Sequence, residues 1–263
     1  MQGIAVAQFA PGADRDANLA VMSTLAALAV DRGASLVVFP EYSSYFTPEM
    51  GLDWIAAAEA VDGPFATGLA RIATNLGITV VAGLLEAAGD RAHNTVIAIG
   101  PDGARLASYR KLHLYDAFGA TESDWIAAGA IAAPETFAWE GFTVGLQTCY
   151  DIRFPEVTRR LVDAGADLVI VPAEWVRGPL KEHHWRTLLT ARAIENTVYL
   201  AAADHASPIG AGNSMILDPM GVELATVGED SDVAVAFPTR HRMDSVRAAN
   251  PALRLRRFGI APL

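Results

Sequence analysis

Apolar, β-branched runs recur along the whole chain, separated by turn residues or by longer segments with helical periodicity. Runs of about four to eight residues with this composition are typical of buried strands. The pattern therefore predicts about eleven strands. They cover residues 4–9, 36–39, 78–85, 95–99, 106–109, 142–149, 168–171, 198–203, 214–217, 223–227 and 233–237.

Helical periodicity occurs between some of these strands. Gly33 suits the end of the first helical segment, and Pro64 suits the first turn of the second. Other junctions are tight turns, such as residues 101–103 and 139–141, so crossovers and hairpins must alternate. The predicted helices cover residues 16–31, 64–76, 155–164 and 180–196.

The number of strands also bears on the fold. Eleven strands are too many for one comfortable open sheet, and the mixed connections favour two stacked mixed sheets with helices outside. The chain contains no internal repeat, low-complexity segment or linker. We therefore expect residues 1–263 to form a single α/β domain.

Composition excludes several classes of protein. The chain is 52% hydrophobic and 19% charged, which is typical of a globular protein. A net charge of −10 argues against a nucleic-acid partner, which would need a basic surface. No stretch reaches the roughly 18 apolar residues of a membrane span, and the first residues read as a core strand rather than a signal peptide. A single cysteine rules out an internal disulfide and favours a reducing, cytoplasmic setting.

That cysteine, Cys149, is the first candidate for catalysis. It ends the predicted strand 142–149 before a helix, a place where α/β sheets hold reacting groups. A lone buried thiol is more often inert. A thiol that attacks an amide needs a base, a positive group for the oxyanion and a proton for the leaving amine. None of the six histidines has the local setting of a cysteine–histidine enzyme.

Two other predicted strands also end in ionisable residues. Glu41 directly follows the strand 36–39, where partial burial would raise the pKa of its carboxyl toward that of a useful base. Lys111 follows the strand 106–109 among apolar and aromatic residues and would supply a positive charge. Each residue alone is more typical of a solvated turn or a surface. Together with Cys149, they predict a site built from three strand ends.

The segments around these residues resemble a known family. Phe39-Pro-Glu41-Tyr, Tyr109-Arg-Lys111-Leu-His-Leu-Tyr-Asp and Cys149-Tyr-Asp-Ile-Arg-Phe-Pro-Glu closely resemble the signature segments of the nitrilase superfamily of carbon–nitrogen hydrolases. The resemblance continues to the hairpin at residues 218–221 and spans essentially the whole chain. It implies a four-layer αββα sandwich, usually paired through its helices into a homodimer or higher homo-oligomer.

The resemblance also implies a Glu41–Lys111–Cys149 triad. Glu41 would take the thiol proton and return it to departing ammonia, and would later activate the water that hydrolyses the thioester. Lys111 and the backbone N–H of Tyr150 would hold the oxyanion. Glu122 matches a further glutamate of the family that would orient Lys111 or the substrate.

Other residues near the cysteine are candidates for substrate binding. Trp175 matches a position that lines the pocket in relatives, and Glu174 is expected beside it. If Glu174 points inward, it would disfavour a nearby anion and favour an amine-bearing substrate. Asp151 and Arg153 are expected to form an ion pair that holds the turn, although Arg153 would also suit a substrate carboxylate.

The string after the cysteine indicates a branch of the family. It resembles ω-amidases and deaminated-glutathione amidases, and differs from the strings typical of nitrilases and aliphatic amidases. We therefore predict hydrolysis of the terminal carboxamide of a small, carboxylate-bearing molecule. The alternatives are an N-carbamoyl amine or amino-acid hydrolase and, from another class, a catalytically idle binding module.

The sequence has no spacing typical of a metal site and no dinucleotide-binding loop. We therefore expect neither a metal nor another cofactor, and we expect a small-molecule amide as the partner. The short basic run at residues 254–257 is expected to be a solvated tail or a contact to an acidic partner subunit.

Overall fold

The computed structural model describes residues 2–262, which form two six-stranded sheets with helices on their outer faces. The helices are α1 Arg15–Asp31, α2 Leu52–Ala57, α3 Pro64–Leu76, α4 Pro155–Asp163, α5 Lys181–Asn196 and α6 Arg240–Ala249. The strands are β1 Gly3–Gln8, β2 Ala34–Val38, β3 Thr79–Ala88, β4 Arg91–Ile99, β5 Arg105–Arg110, β6 Thr136–Trp139, β7 Phe142–Leu146, β8 Leu168–Pro172, β9 Tyr199–Ala203, β10 Met215–Leu217, β11 Glu223–Thr226 and β12 Asp232–Ala236.

Each sheet has a parallel centre and antiparallel flanks. In the first sheet the order is β12-β1-β2-β3-β4-β5, with β1, β2 and β3 parallel. In the second sheet the order is β11-β10-β9-β8-β7-β6, with β7, β8 and β9 parallel. Parallel neighbours need crossovers and antiparallel ones are joined by hairpins, so this arrangement agrees with the alternation read from the sequence.

The main core lies between the two sheets. Val6 and Val38 of the first sheet belong to the same buried cluster as Val144 and Ile170 of the second. Helices α1 and α3 cover the outer face of the first sheet, and α4 and α5 cover that of the second. The predicted four-layer αββα sandwich is confirmed. The shared core supports the single domain over residues 1–263, which stays a prediction.

Some elements differ from those expected. The structure adds β6, a four-residue strand too short to give a pattern, and α2, a helix of six residues. It also adds α6, whose residues are mostly polar or charged and which buries only Met243 and Val246. The predicted strand 142–149 ends at Leu146, and Cys149 begins a short 3-10 turn, Cys149–Arg153. None of the helices within residues 2–262 has both the length and the apolar character needed to cross a membrane.

Candidate active site

Three segments that follow strands meet at one edge of the sandwich. Strand β5 is antiparallel to β4, which is antiparallel to β3, so β5 runs in the same direction as β2 and β3. Glu41 after β2 and Lys111 after β5 therefore lie at the same edge of the first sheet. Cys149 follows β7 of the second sheet, and all three residues line one cavity.

Lys111 lies between two buried carboxylates. Its Nζ is 2.9 Å from Oε1 of Glu41, 2.9 Å from Oε2 of Glu122 and 3.1 Å from Oε1 of Glu122. The three side chains are only 1–3% exposed. A buried charge is strongly destabilised unless it is paired, so the charge on each of these three side chains depends on the presence of the others.

Glu122 receives further hydrogen bonds from neutral donors. The Tyr42 hydroxyl donates to its Oε1 at 2.5 Å, and the backbone N–H of Tyr115 donates to its Oε2 at 2.5 Å. Asn94 Nδ2 lies 3.2 Å from the same Oε1 and 2.5 Å from Oε1 of Glu41. This many donors favour the ionised form of Glu122.

Glu41 is fixed from both sheets. Its Oε2 accepts a 2.6 Å hydrogen bond from the backbone N–H of Glu174, which follows β8 in the second sheet. Its backbone carbonyl accepts a 2.7 Å hydrogen bond from Nε2 of His205. Burial lowers the pKa of His205 to about 4, so the ring is neutral, and Nε2 must carry its proton because a carbonyl only accepts.

The pKa values of the two carboxylates move in opposite directions. Burial, opposed by Lys111, raises the pKa of Glu41 above its ordinary value. Burial acts on Glu122 as well, but Lys111 and the hydrogen bonds from Tyr42 and Tyr115 hold its pKa below the ordinary value. Burial alone would depress the pKa of Lys111, but the charges of Glu122 and Glu41 raise it well above normal. Glu122 and Lys111 are therefore charged. The carboxyl of Glu41 is a weaker acid than that of Glu122, which makes its carboxylate the better proton acceptor.

Cys149 has an unusual backbone conformation. Its φ angle is +40°, a left-handed value that non-glycine residues rarely adopt. Its Sγ lies 3.5 Å from the backbone carbonyl oxygen of Glu174. Burial and the nearby Glu41 carboxylate raise the pKa of the thiol well above normal, although Lys111 opposes this. The resting thiol is therefore protonated and needs a base before it can attack.

The expected ion pair between Asp151 and Arg153 is absent from the described residues, and that prediction was wrong. Asp151 is fully buried and instead binds the Tyr109 hydroxyl at 2.6 Å and Nδ1 of His113 at 2.9 Å. It also accepts from the backbone N–H of Thr148 at 3.3 Å. These contacts tie the chain on both sides of Lys111 to the turn of Cys149. A carboxylate satisfied this way has no need of Arg153.

The cavity has a volume of about 370 Å³, and the predicted residues Glu122, Tyr150, Glu174 and Trp175 line it along with the three triad candidates. Oε1 of Glu174 is buried and has no hydrogen-bond partner among residues 2–262. Burial and the charge of Glu41 raise the pKa of Glu174 well above normal. Burial therefore disfavours the charged form of Glu174, which weakens the reason to expect an amine-bearing substrate.

Sequence reasoning missed three residues of the cavity region. Tyr42 follows Glu41 in the signature segment Phe39-Pro-Glu41-Tyr. Its burial in a loop could not be read from the hydrophobic pattern. Asn94 is a buried polar residue of strand β4. A polar residue within a buried strand is unusual and is a feature that could have marked it as a candidate. Lys181 was placed only in a helix, yet it is buried and lines the cavity.

Among residues 2–262, the His, Cys, Asp and Glu side chains form no group of three or more arranged to hold a metal ion. The basic residues of the predicted tail lie at the surface, where Arg256 forms a 2.6 Å ion pair with Asp163 of α4.

The fold and the site define a class of protein. The sequence profile of the carbon–nitrogen hydrolase family matches residues 3–248, and the chain belongs to this family. The family predicted from the signature segments is thus confirmed, and the protein is a hydrolase of non-peptide carbon–nitrogen bonds.

Particular relatives are similar across most of the chain. A hydrolase of Mycobacterium tuberculosis is 41% identical over 250 residues, which cover 89% of this chain and 88% of that protein. The deaminated glutathione amidase of Escherichia coli O157:H7 is 39% identical over 256 residues, 97% of each chain. An amidase from Nesterenkonia sp. AN1, with an acrylamide adduct on its active-site cysteine, matches in structure with a TM-score of 0.82 and 29% identity, covering 97% of this chain and all of that one.

Proposed function

We propose that the protein is a cysteine-dependent amidase that hydrolyses the terminal carboxamide of a small, carboxylate-bearing molecule to an acid and ammonia. The observation that carries the proposal is the meeting of Cys149, Glu41 and Lys111 in one cavity, with Glu41 and Lys111 2.9 Å apart. The name of the Escherichia coli relative, deaminated glutathione amidase, supports a carboxamide substrate.

In the first half-reaction, Sγ of Cys149 attacks the amide carbon and Glu41 accepts the thiol proton. A new carbon–sulfur bond forms, and the carbonyl oxygen becomes an oxyanion held by Lys111 and the backbone N–H of Tyr150. The oxyanion then collapses, the carbon–nitrogen bond breaks, and Glu41 returns its proton to the leaving nitrogen. Ammonia departs and a thioester remains on Cys149.

In the second half-reaction, Glu41 takes a proton from water and the resulting hydroxide attacks the thioester carbon. The carbon–sulfur bond breaks, the acid is released, and the Cys149 sulfur regains its proton from Glu41. Glu122 keeps Lys111 in position because both of its oxygens accept from Nζ. A positioned acid–base group is worth about 10²- to 10⁴-fold in rate, and one oxyanion donor about 10²- to 10³-fold.

The test is ammonia release over a panel of small substrates, with Cys149→Ala in parallel. The panel holds ω-amides of dicarboxylic acids, deaminated glutathione, N-carbamoyl amines, a simple aliphatic amide and a nitrile. We expect turnover of a carboxylate-bearing amide that the variant lacks. Turnover of N-carbamoyl compounds alone would instead assign the alternative hydrolase. Silence over the whole panel, with a Cys149 that iodoacetamide does not alkylate, would favour a binding module.

We also propose a cytoplasmic homodimer. A single cysteine supports a reducing compartment. Several large apolar side chains on α5 and near the edge strand β11 are 44–51% exposed, which supports self-association. Light scattering would report twice the mass of 27.9 kDa for the dimer, and a monomer at micromolar concentration would contradict it. The exposed apolar side chains are Ile194, Met220, Val222 and Leu224.

A further inference from the structure

Lysine is almost absent from this protein. The chain contains 20 lysine and arginine residues, of which only Lys111 and Lys181 are lysines. Both are buried, and both line the same cavity. The other basic side chains of the chain are arginines, and the ammonium groups of both lysines lie at one site. Lys111 belongs to the triad, which leaves Lys181 without an assigned role.

Lys181 begins α5 and is only 7% exposed. Its ammonium donates to the Tyr115 hydroxyl at 2.5 Å and lies over two aromatic rings, 4.1 Å from the centre of Phe118 and 4.7 Å from that of Tyr115. The indole N–H of Trp175 donates to the Lys181 carbonyl at 2.8 Å, which fixes the backbone. The ammonium is therefore held at the wall of the cavity by neutral groups.

None of the ion pairs among the described residues includes Lys181. The carboxyl that acts on its pKa from a greater distance is that of Glu174. Lys111, the other lysine of the cavity, differs in this respect, because it has two carboxylates within 3.1 Å of its ammonium. A partly desolvated cation that lacks an anionic partner is costly in a folded protein, and a ligand that supplies the anion removes that cost.

A second uncompensated cation lies beside it. The guanidinium of Arg153 is 4.8 Å from the ring centre of Trp175 and 5.6 Å from that of Phe118. Its Nε and Nη2 are buried and have no hydrogen-bond partner among the described residues. Burial, and then the charge of Arg153, lowers the pKa of Lys181. Two like charges brought together in this way attract an anion.

We propose that Lys181, with Arg153 beside it, forms a subsite that binds a carboxylate of the substrate and so selects carboxylate-bearing amides over neutral ones. The inference rests on the proposed amidase function and adds the residues that read the substrate charge. Glu174 lines the same cavity, and burial together with the charge of Glu41 favours its uncharged form, in which it does not compete with a substrate anion. The ammonium would donate to one carboxylate oxygen, and the guanidinium of Arg153, which lies behind Trp175 and Phe118, would add its positive charge.

The kinetic test compares matched substrates. Succinamate, glutaramate and adipamate each carry a terminal amide and a carboxylate, and each is paired with its methyl ketone analogue, in which a methyl group replaces one carboxylate oxygen. For Lys181→Met we expect kcat/KM for the carboxylate substrates to fall about 10- to 100-fold, mainly through KM, as for loss of a hydrogen bond to a charged group. The methyl ketones should change little, and Lys181→Arg should restore most of the loss.

A structural role of Lys181 predicts a different result. If the ammonium only fastens the aromatic rings around it, Lys181→Met lowers turnover of charged and neutral substrates alike, and the proposal is overturned. Wild-type enzyme that hydrolyses both members of each pair equally well would also overturn it, while the amidase function would stand. Arg177→Gln is the matched control, because Arg177 is in the same segment but is paired with Glu229 at 3.1 Å. It removes one positive charge and should leave the carboxylate preference unchanged.

Lysine labelling tests the subsite independently of turnover. Trinitrobenzenesulfonate modifies unprotonated amines, and peptide mapping of Cys149→Ala should find Lys181 labelled well before Lys111, which two carboxylates keep protonated. Glutaramate should slow the labelling of Lys181, and its methyl ketone should not. If no amide is hydrolysed at all, the proposed function fails, and this protection still decides the subsite. Equal labelling with and without all three carboxylate compounds would contradict it.

Discussion

Glu41 and Glu122 accept hydrogen bonds from the same Lys111 ammonium, yet their pKa values are shifted in opposite directions. Burial raises the pKa of Glu41. Burial also acts on Glu122, but Lys111 and the donors Tyr42 and Tyr115 outweigh it. Two neighbouring carboxyls with separated pKa values suit different tasks, since one exchanges protons while the other stays ionised. This relationship supports the proposal that Glu41 transfers protons and that Glu122 holds Lys111.

Glu41→Gln should remove the base while it keeps the size of the side chain. We expect kcat to fall by about 10²- to 10⁴-fold, the usual contribution of a positioned general base. The measurement is ammonia release with the best amide of the panel. Asp53→Asn, which changes an exposed carboxylate of α2, serves as the control. A Glu41→Gln enzyme with near wild-type kcat would remove Glu41 from the mechanism.

Glu122→Gln should change the pH profile as well as the rate. Attack needs an ionised Glu41, so kcat/KM rises with pH through the pKa of that carboxyl. The charge of Glu122 contributes to the raised pKa of Glu41. When that charge is removed, the pKa of Glu41 falls, and the acid limb of the profile should move to lower pH. A limb that stays in place or moves to higher pH would mean that another group controls it.

Gly83→Ala should disturb Glu41 without touching any polar group. A Cβ at residue 83 would lie 2.7 Å from Cα of Glu41 and 2.7 Å from the backbone nitrogen of Tyr42. One of the two chains must therefore move, and we expect a fall in kcat/KM of about 10- to 100-fold, since small misplacements of reacting groups are expensive.

Gly228→Ala is the matched control for this change, because its added Cβ meets nothing within 4 Å and its φ is not left-handed. Kinetics and thermal unfolding of both variants separate a shift of the site from loss of the fold. Wild-type kinetics in Gly83→Ala would show that the loop of Glu41 yields freely.

His205 should make stability depend on pH. Its pKa is lowered from 6.5 to about 4 by burial. Between pH 6.5 and about 4, His205 is protonated in the unfolded chain but not in the folded protein. The free energy of unfolding therefore decreases as the pH falls through this range. At 1.36 kcal/mol for each pKa unit, the total loss is about 3 kcal/mol.

The comparison with His205→Gln isolates this effect, because glutamine retains a donor for the Glu41 carbonyl but does not titrate. The raised carboxyl pKa values of Glu41, Glu174 and Asp204 act in the opposite sense and are common to both proteins. Urea unfolding at several pH values should show the stability advantage of the wild type shrinking toward pH 4. An advantage that is constant with pH would contradict the neutral buried ring.

The strands and the signature segments predicted much of this structure, because buried runs and strand ends are local features of a sequence. Glu41 and Lys111 both follow strands as expected, and helix α3 covers the predicted residues 64–76. Cys149 lies beyond its strand, at the start of a 3-10 turn, and its own φ angle is left-handed. The apolar run extends past the last backbone hydrogen bond of the strand, so the hydrophobic pattern could not show where the strand ends.

Side-chain partners were less predictable than elements. Asp151 and Arg153 are close in sequence and opposite in charge, which suggested an ion pair. In the fold, Tyr109 and His113 reach Asp151 from another strand and its loop, and Arg153 turns toward the rings around the cavity. Nothing local to the turn carries that information.

The sequence by itself determined the family, the layered α/β fold and the three candidate residues that follow strands, because hydrophobic periodicity and short motifs are contained in neighbouring positions. Only the tertiary structure decided that Glu41 and Lys111, 70 positions apart, share a hydrogen bond. It also decided that Lys181 lies at the same cavity, with its ammonium bonded to the hydroxyl of Tyr115. These contacts depend on sheet stacking and on loop paths, which are set by the packing of the whole chain.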